Sequence, residues 1–455
     1  MPQRMKMPER EPNVRNKDFE QVNTGYTHEQ MLQESKRCLK CKVPQCVKGC
    51  PVEINIPGFI KPLSEDNPAE AIKVLKEKSS LPAVCGRVCP QERQCEKHCI
   101  LGVKGEPVAI GNLERYTADW GAKNIKETIK PQKNGIKIAI VGSGPAGLTC
   151  GGDLIKLGYD VTVYESLHNS GGVLRYGIPE FRLPKAVLDL EVNSLNDLGI
   201  KFVFNTLIGR TITIEELFEQ GFKAIFVGTG AGLPTFMGVE GENLKNIYSA
   251  NEFLVRVNLM KGSKFPEFDT PIYKGKNVVV VGGGNTAMDS VRTAKRLGAQ
   301  SVKLVYRRSE EEMPARLEEK IHAKEEGVEF VPLTNPVKFI GDDKNFVKQI
   351  ECVKMELGEA DSSGRHRPKE VAGSNFTFDA DTVILALGLN PNPILTSLTK
   401  GLNIDNHGRI IVDESLMSSI AGVFAGGDIA GGSTVIEAMG MGKQAAKSIV
   451  KYLGK

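Results

Sequence analysis

Apolar and polar positions repeat with one period in the first third of this chain and with another in the rest. Residues 27 to 125 follow a helical pattern. Thr27 followed three residues on by Gln30 is a helix-start signature, an N-cap hydroxyl paired with a Gln that reaches back. Asn67 and Pro68 open another helix, with Ala71, Ile72, Val74 and Leu75 on one face. From Lys137 short continuous apolar runs alternate with glycine loops and longer amphipathic stretches, which predicts a parallel sheet covered by helices. The run at 138–141 is a buried strand, a helix follows at 148–158, and a second strand follows at 160–165. The unit returns as a strand at 277–281, a helix ending at Leu297, and a strand at 301–305. Two further strands running into glycine turns, 224–230 and 381–388, and a last helix beginning within 433–440 complete the pattern. The polar stretch 131–135 is a linker between the two textures.

At 455 residues the chain is too long for one core, and three compact regions are expected. Apolar content of 40% and charged content of 25% describe an ordinary globular protein. A net charge of +4 is too mild to argue for nucleic acid. No apolar run reaches 18 residues, so no membrane span is expected. The stretch to Asp18 is polar, lacks a hydrophobic h-region, and is expected to be an extended arm lying on another surface.

Eight of the ten cysteines fall between Cys38 and Cys99 in two runs, Cys38-x2-Cys41-x4-Cys46-x3-Cys50-Pro51 and Cys85-x3-Cys89-x5-Cys95-x3-Cys99. Thiolates at such spacings converge on metal, and a fourth Cys followed by Pro ends ferredoxin-type [4Fe–4S] runs. Disulfides would need a secreted context, and zinc ribbons a second CxxC or a His pair, whereas His98 is the only nearby histidine. Two [4Fe–4S] clusters are therefore expected. They require a reducing compartment, which implies the cytoplasm.

The first glycine loop is Gly142-Ser-Gly144-Pro145-Ala146-Gly147, and the strand after its helix ends in Glu165, 18 residues on. This is a dinucleotide fingerprint: the glycines admit the pyrophosphate to a helix N-terminus and the acid meets ribose hydroxyls. The second loop, Gly282-Gly-Gly284-Asn285-Thr286-Ala287, leads to a strand ending Tyr306-Arg307-Arg308. Guanidinium groups there would bind a 2′-phosphate. The first site suits FAD or NAD, the second NADP(H). Isolated Cys150 and Cys352 are expected to be core residues.

These motifs, with GGVLRYGIPEFRLPK at 171–185, VYRR at 305–308 and AGGD at 425–428, resemble over essentially the whole length the small (beta) subunit family of NADPH-dependent glutamate synthase. That family includes the large subunit of the electron-bifurcating NADH-dependent ferredoxin:NADP⁺ oxidoreductase and the N-terminal half of dihydropyrimidine dehydrogenase. The resemblance implies an α/β fold: a helical two-[4Fe–4S] domain followed by two Rossmann-like domains, the NADPH domain inserted in the FAD domain. The domains are expected at 1–130, 136–250 (FAD, first part), 251–379 (NADPH) and 380–455 (FAD, second part).

It also implies crossed ligation, with Cys38, Cys41, Cys46 and Cys99 on one cluster. Cys50, Cys89 and Cys95 would hold the other, with Glu114 as the candidate fourth ligand and Cys85 left without metal. Spacing alone leaves Cys85 open as a ligand. FAD would contact Gly142, Gly144, Pro145, Ala146, Gly147 and Glu165, then Gly172 and Arg175. Gly388, Gly427 and Asp428, with the backbone of Val435, Ile436 and Ala438, would complete its site. NADPH would contact Gly282, Gly284, Asn285, Thr286, Ala287, Arg307 and Arg308. No protein group is expected to be a catalytic nucleophile, since the flavin does the chemistry.

With no site for a second organic substrate, the chain is expected to be one subunit of a complex. The short chain, the arm and Glu114 favour the NADP(H) subunit of an electron-bifurcating ferredoxin/NAD(H)/NADP(H) transhydrogenase, beside a ferredoxin reductase-like flavoprotein, with ferredoxin as a candidate partner. The alternatives are the NADPH-oxidising glutamate synthase small subunit feeding a barrel subunit, and a non-catalytic electron-transfer subunit.

Overall fold

Thr27 opens the first long helix as its pattern predicts: its hydroxyl accepts from Gln30 N, and the Gln30 side chain accepts from Thr27 N. The computed structural model describes residues 3–125, 130–360 and 365–454. Helices His28–Ser35, Ile56–Ser64, Pro68–Lys78, Pro82–Val88 and Ile110–Asn124 build the N-terminal domain. Asn67 caps Pro68–Lys78, whose Ala71, Ile72 and Leu75 are buried while Val74 is half-buried. They pack with Phe59, Ile60, Leu63 and Leu113. Each large apolar side chain buried this way contributes roughly 1.5–3 kcal/mol. Residues 126–129, at the expected end of this domain, lie outside the described residues.

Two five-stranded parallel sheets follow. The first runs in the order Val423–Ala425, Phe222–Val227, Lys137–Val141, Asp160–Tyr164, Lys201–Val203. The second runs Ile247–Ser249, Thr382–Leu385, Asn277–Val281, Ser301–Val305, Glu329–Val331. The first sheet is completed only by a strand near the C-terminus, so the second unit is an insertion, as expected. An antiparallel sheet of strands Thr334–Gly341, Val347–Ala360, His366–Glu370 and Phe376–Asp379 is built into the inserted unit.

The expected boundaries at 250/251 and 379/380 need correction. Ile247–Ser249 and Thr382–Leu385 both pair in the second sheet, so that unit extends from 247 to 385. A four-residue apolar run is buried on both faces in any parallel sheet, and it carries no mark of which sheet it enters. The crossings between the units are held together by Leu233–Pro234 pairing with Leu389–Asn390.

The N-terminal arm lies across all three units. Met5 N donates to Glu34, Val22 N donates to the Phe181 carbonyl, and Arg15, 1% exposed, is ion-paired with Glu325 and Glu326. The arm also contains one helical turn, Pro12–Arg15. Among the described residues no helix is long and apolar enough to cross a membrane.

Candidate cluster and nucleotide sites

Cys38 follows the helix His28–Ser35, Cys46 sits in the short helix Gln45–Lys48, and Cys99 precedes the turn Ile100–Val103. Lys40 takes a left-handed backbone (φ 52°) that folds the chain back between Cys38 and Cys41. These four cysteines line one cavity of about 80 Å³ together with Ile56, Ile60, Leu101, Val108 and Ile110. Burial and neighbouring thiols push Cys46 up to about 11 and raise Cys38. The thiols can ionise together only if iron or another cation takes up their charge. The Val108 N–H points at Cys99 Sγ at 3.5 Å, a backbone donor suited to a ligating sulfur.

The second group is sealed: Cys50, Cys85, Cys89 and Cys95 are all buried. Burial pushes Cys50 up to about 12, and Glu114 adds to the upward shift at each of the four. Glu114 projects from the helix Ile110–Asn124, is 5% exposed, and its Oε1 has no hydrogen-bond partner. Burial, with Glu191 nearby, pushes its carboxyl up to about 8. A buried carboxylate without a donor is costly, so this group calls for a proton or a cation. Cys85 is hydrogen-bonded to Cys89 within this group, and its Sγ also lies 3.5 Å from Met439 Sδ and 3.9 Å from Ser79 Oγ.

Among the described residues the one trio of His, Cys, Asp or Glu ligand atoms within 4.8 Å is Glu9, His322 and Glu325, and there Arg15 already pairs with both carboxylates. None of the ten cysteines forms a disulfide.

At the first glycine loop, Gly147 packs so tightly that a Cβ would stand 2.0 Å from the Gly142 carbonyl oxygen. The helix Pro145–Lys156 has no side-chain cap, and neither does Asn285–Arg296 behind the second loop. Their first-turn N–H groups are therefore available to phosphate. No protein atom lies within 4 Å of the place where a Cβ on Gly144 or Gly284 would be. Gly172 lies against Gly144, while Gly427 is within van der Waals reach of Ala146 and Ala438. The residues assigned to FAD from 142–147, 172, 427 and 438 thus converge. Asp428 is raised by burial, and Tyr176 is pushed up to about 12 by burial with Asp428 and Glu165 nearby.

Three expected contacts look different in space. Glu165 accepts from Ser143 N and Oγ of the glycine loop and from Ser166 Oγ and Leu167 N of its own turn, so its four lone-pair sites tie the two together. Arg175 donates to the Ser170 carbonyl and pairs with Asp189 at 2.5 Å. Gly388 sits beyond Thr382–Leu385 of the second sheet, at the crossing between units, because that strand joined the other sheet.

At the second loop Arg307 is exposed beyond the strand Ser301–Val305, while Arg308 Nε donates to the His366 carbonyl at 2.8 Å. Asn285 Oδ1 accepts from Arg316 N, so this loop residue is tied to 313–316. Arg316 in turn donates across to the cluster domain, at the Arg87 carbonyl and Gln91, and Arg93 of that domain donates back to the Ala315 carbonyl. Arg182, from the 171–185 segment, binds Asp289 of the GGGNTAMD helix at 2.8 and 2.9 Å, locking the two nucleotide units together. Met439, Arg182 and Asp289 lay inside recognised motifs, but no local signal assigned their partners.

Residues 15–126 match the family described as dihydropyrimidine dehydrogenase domain II, 4Fe-4S cluster, and residues 136–444 match pyridine nucleotide-disulphide oxidoreductase. The small chain of glutamate synthase [NADPH] from Halomonas elongata is 38% identical, over 98% of this chain and 96% of that one. The same protein from Escherichia coli is 37% identical, over 99% and 97%. The beta subunit of NADP(+)-dependent formate dehydrogenase from Moorella thermoacetica is 37% identical over 90% of this chain and 60% of its own. Among solved structures, FprA from Mycobacterium tuberculosis in complex with NADPH shares the fold at a TM-score of 0.59 and 21% identity, over 70% of this chain and 85% of that one.

Proposed function

The chain belongs to the family of the glutamate synthase [NADPH] small chain, and from that premise we propose that it is the electron-input subunit of a glutamate synthase-type complex. It is an NADPH-dependent FAD and iron–sulfur oxidoreductase. The observation that carries the finer reading is the match to small chains from end to end of both proteins. That match supports the glutamate synthase reading over the bifurcating transhydrogenase.

Bound FAD would supply the conversion between hydride and single-electron transfer, and [4Fe–4S] clusters the single-electron conduction. The protein supplies position and charge. First-turn N–H groups of Pro145–Lys156 hold the FAD pyrophosphate, and those of Asn285–Arg296 hold that of NADPH. Arg307, exposed at the strand end, would take the 2′-phosphate. The N-terminal turn of Val435–Tyr452 turns its positive dipole end toward the flavin. One turn further along that helix, Met439 meets Cys85, and Gly440 is so close to Pro51 that a Cβ would stand 2.8 Å from the Pro51 carbonyl oxygen. The sealed cysteine group would therefore be the one nearer a flavin bound at the start of that helix. Cys50, Cys89, Cys95 and Glu114 hold that cluster, and Cys38, Cys41, Cys46 and Cys99 hold the outer one.

Two measurements test this. Arg307→Ala should raise the KM for NADPH about 10- to 100-fold and leave NADH unaffected, since a charge-assisted contact contributes ~1.5–3 kcal/mol. Mixed with a glutamate synthase large subunit, the chain should support NADPH-dependent formation of glutamate from glutamine and 2-oxoglutarate. Failure there, with coupled reduction of NADP⁺ by NADH and reduced ferredoxin instead, would restore the transhydrogenase reading.

A further inference from the structure

The outer cysteine group has a surface of unusual composition around it. Leu39 (60%), Val43 (64%), Ile100 (58%) and Val103 (79%) are all strongly exposed, and the first three line the same cavity as Cys38, Cys41, Cys46 and Cys99. The segments that carry them, 36–48 and 97–104, contain Lys36, Lys40, Lys42, Lys48, Lys97 and Lys104, all exposed, and not one Asp or Glu. Elsewhere positive and negative residues nearly balance, since the whole chain carries only +4. Six exposed lysines therefore lie in the two segments that carry this apolar patch over the half-buried cysteine group, with Glu53 and Glu106 the first exposed acids after them. Exposed branched side chains grouped at one cavity mark an interaction site, and the excess of lysines along these segments favours a partner of opposite charge.

We infer that this face is the docking surface for a protein one-electron acceptor whose own face is an acidic ring around an apolar centre. This rests on the reading of the chain as an electron-delivering subunit. Electrons leave where a cluster comes nearest to the surface, and the cysteines of the other group are all buried, Cys85 against Met439 of the helix Val435–Tyr452. The lysines steer an acidic partner to that point, and Leu39, Val43, Ile100 and Val103 are desolvated on contact.

The test uses the cluster- and FAD-loaded protein with NADPH and three probes: ferricyanide, the acidic protein rubredoxin and the basic protein cytochrome c. Rubredoxin should be reduced faster than cytochrome c, at a rate that falls steeply as salt is added. Exchanging Lys42, Lys97 and Lys104 for Glu should lower kcat/KM for rubredoxin at least about tenfold at low salt. Iron content and ferricyanide reduction should stay unchanged. Calorimetric titration with rubredoxin should show binding at low salt that the triple variant loses. Equal rates for rubredoxin and cytochrome c with the same salt dependence, or a triple variant that binds rubredoxin as before, would overturn the docking face alone. A protein that cannot reduce ferricyanide with NADPH would instead overturn the oxidoreductase-subunit reading beneath it.

Discussion

At the outer cysteine group, Cys38, Cys41, Cys46 and Cys99 are half-buried and line a mostly apolar cavity that also holds Gln45 and His98 but no carboxylate. At the inner group Cys50, Cys89 and Cys95 are buried and share their space with a carboxylate and with Cys85. The two groups are drawn from the same two sequence runs, each group taking three thiols from one run and one from the other if Cys85 is counted. The difference shows how one short domain makes two unlike electron carriers. A cluster near solvent held by four thiolates suits exchange with a partner. A sealed cluster with a hard oxygen donor sits where potential responds to ligand type and hydrogen bonding.

The largest expected effect breaks the partition directly. Protein prepared without oxygen should carry about eight iron atoms per chain, and Cys46→Ala and Cys95→Ala should each leave about four. Iron analysis showing that either variant loses everything would mean the two groups do not form separate clusters.

A smaller change sharpens the inner site. Glu114→Ala should alter the electron paramagnetic resonance spectrum of one reduced cluster and make its iron easier to chelate, while the outer signal and the flavin stay unchanged. Cys85→Ala should leave both spectra intact. If the outcomes are exchanged, Cys85 is the fourth ligand and Glu114 a buried acid beside it.

The mildest effect concerns Glu191, which accepts from Ala83 N and backs Glu114. Burial pushes its carboxyl from the ordinary 4.5 up to about 7. The folded state thus holds a proton that the unfolded chain releases sooner. Stability from this group is complete below pH 4.5 and is lost as pH rises toward 7. Glu191→Gln should flatten thermal stability across that window by ~1–3 kcal/mol. An unchanged slope would place the titration elsewhere. No comparable slope is expected from the outer group, which holds no buried acid.

Much of this was legible in the chain. Thr27 with Gln30, Asn67, and the loops at 142–147 and 282–287 announced their helices because capping and tight turns are local chemistry, complete within a few residues. The cysteine runs announced iron for the same reason. The strand Thr382–Leu385 was visible as a strand but not as a member of the second sheet, because an apolar run is equally at home in either. Glu165 could be located at its strand end, yet not the Ser143, Ser166 and Leu167 donors that fill its lone pairs.

By itself, then, the sequence determined the elements, the kinds of cofactor and the donor atoms on offer, since each depends on side-chain chemistry and short spacing. Only the tertiary structure decided which thiols face one another, that Glu114 is left without a donor among buried sulfurs, and that Met439 rests on Cys85. Those relations join residues tens to hundreds of positions apart. They exist because packing the cluster domain onto the helix Val435–Tyr452 excludes water there, and no local pattern records which surfaces will be dried together.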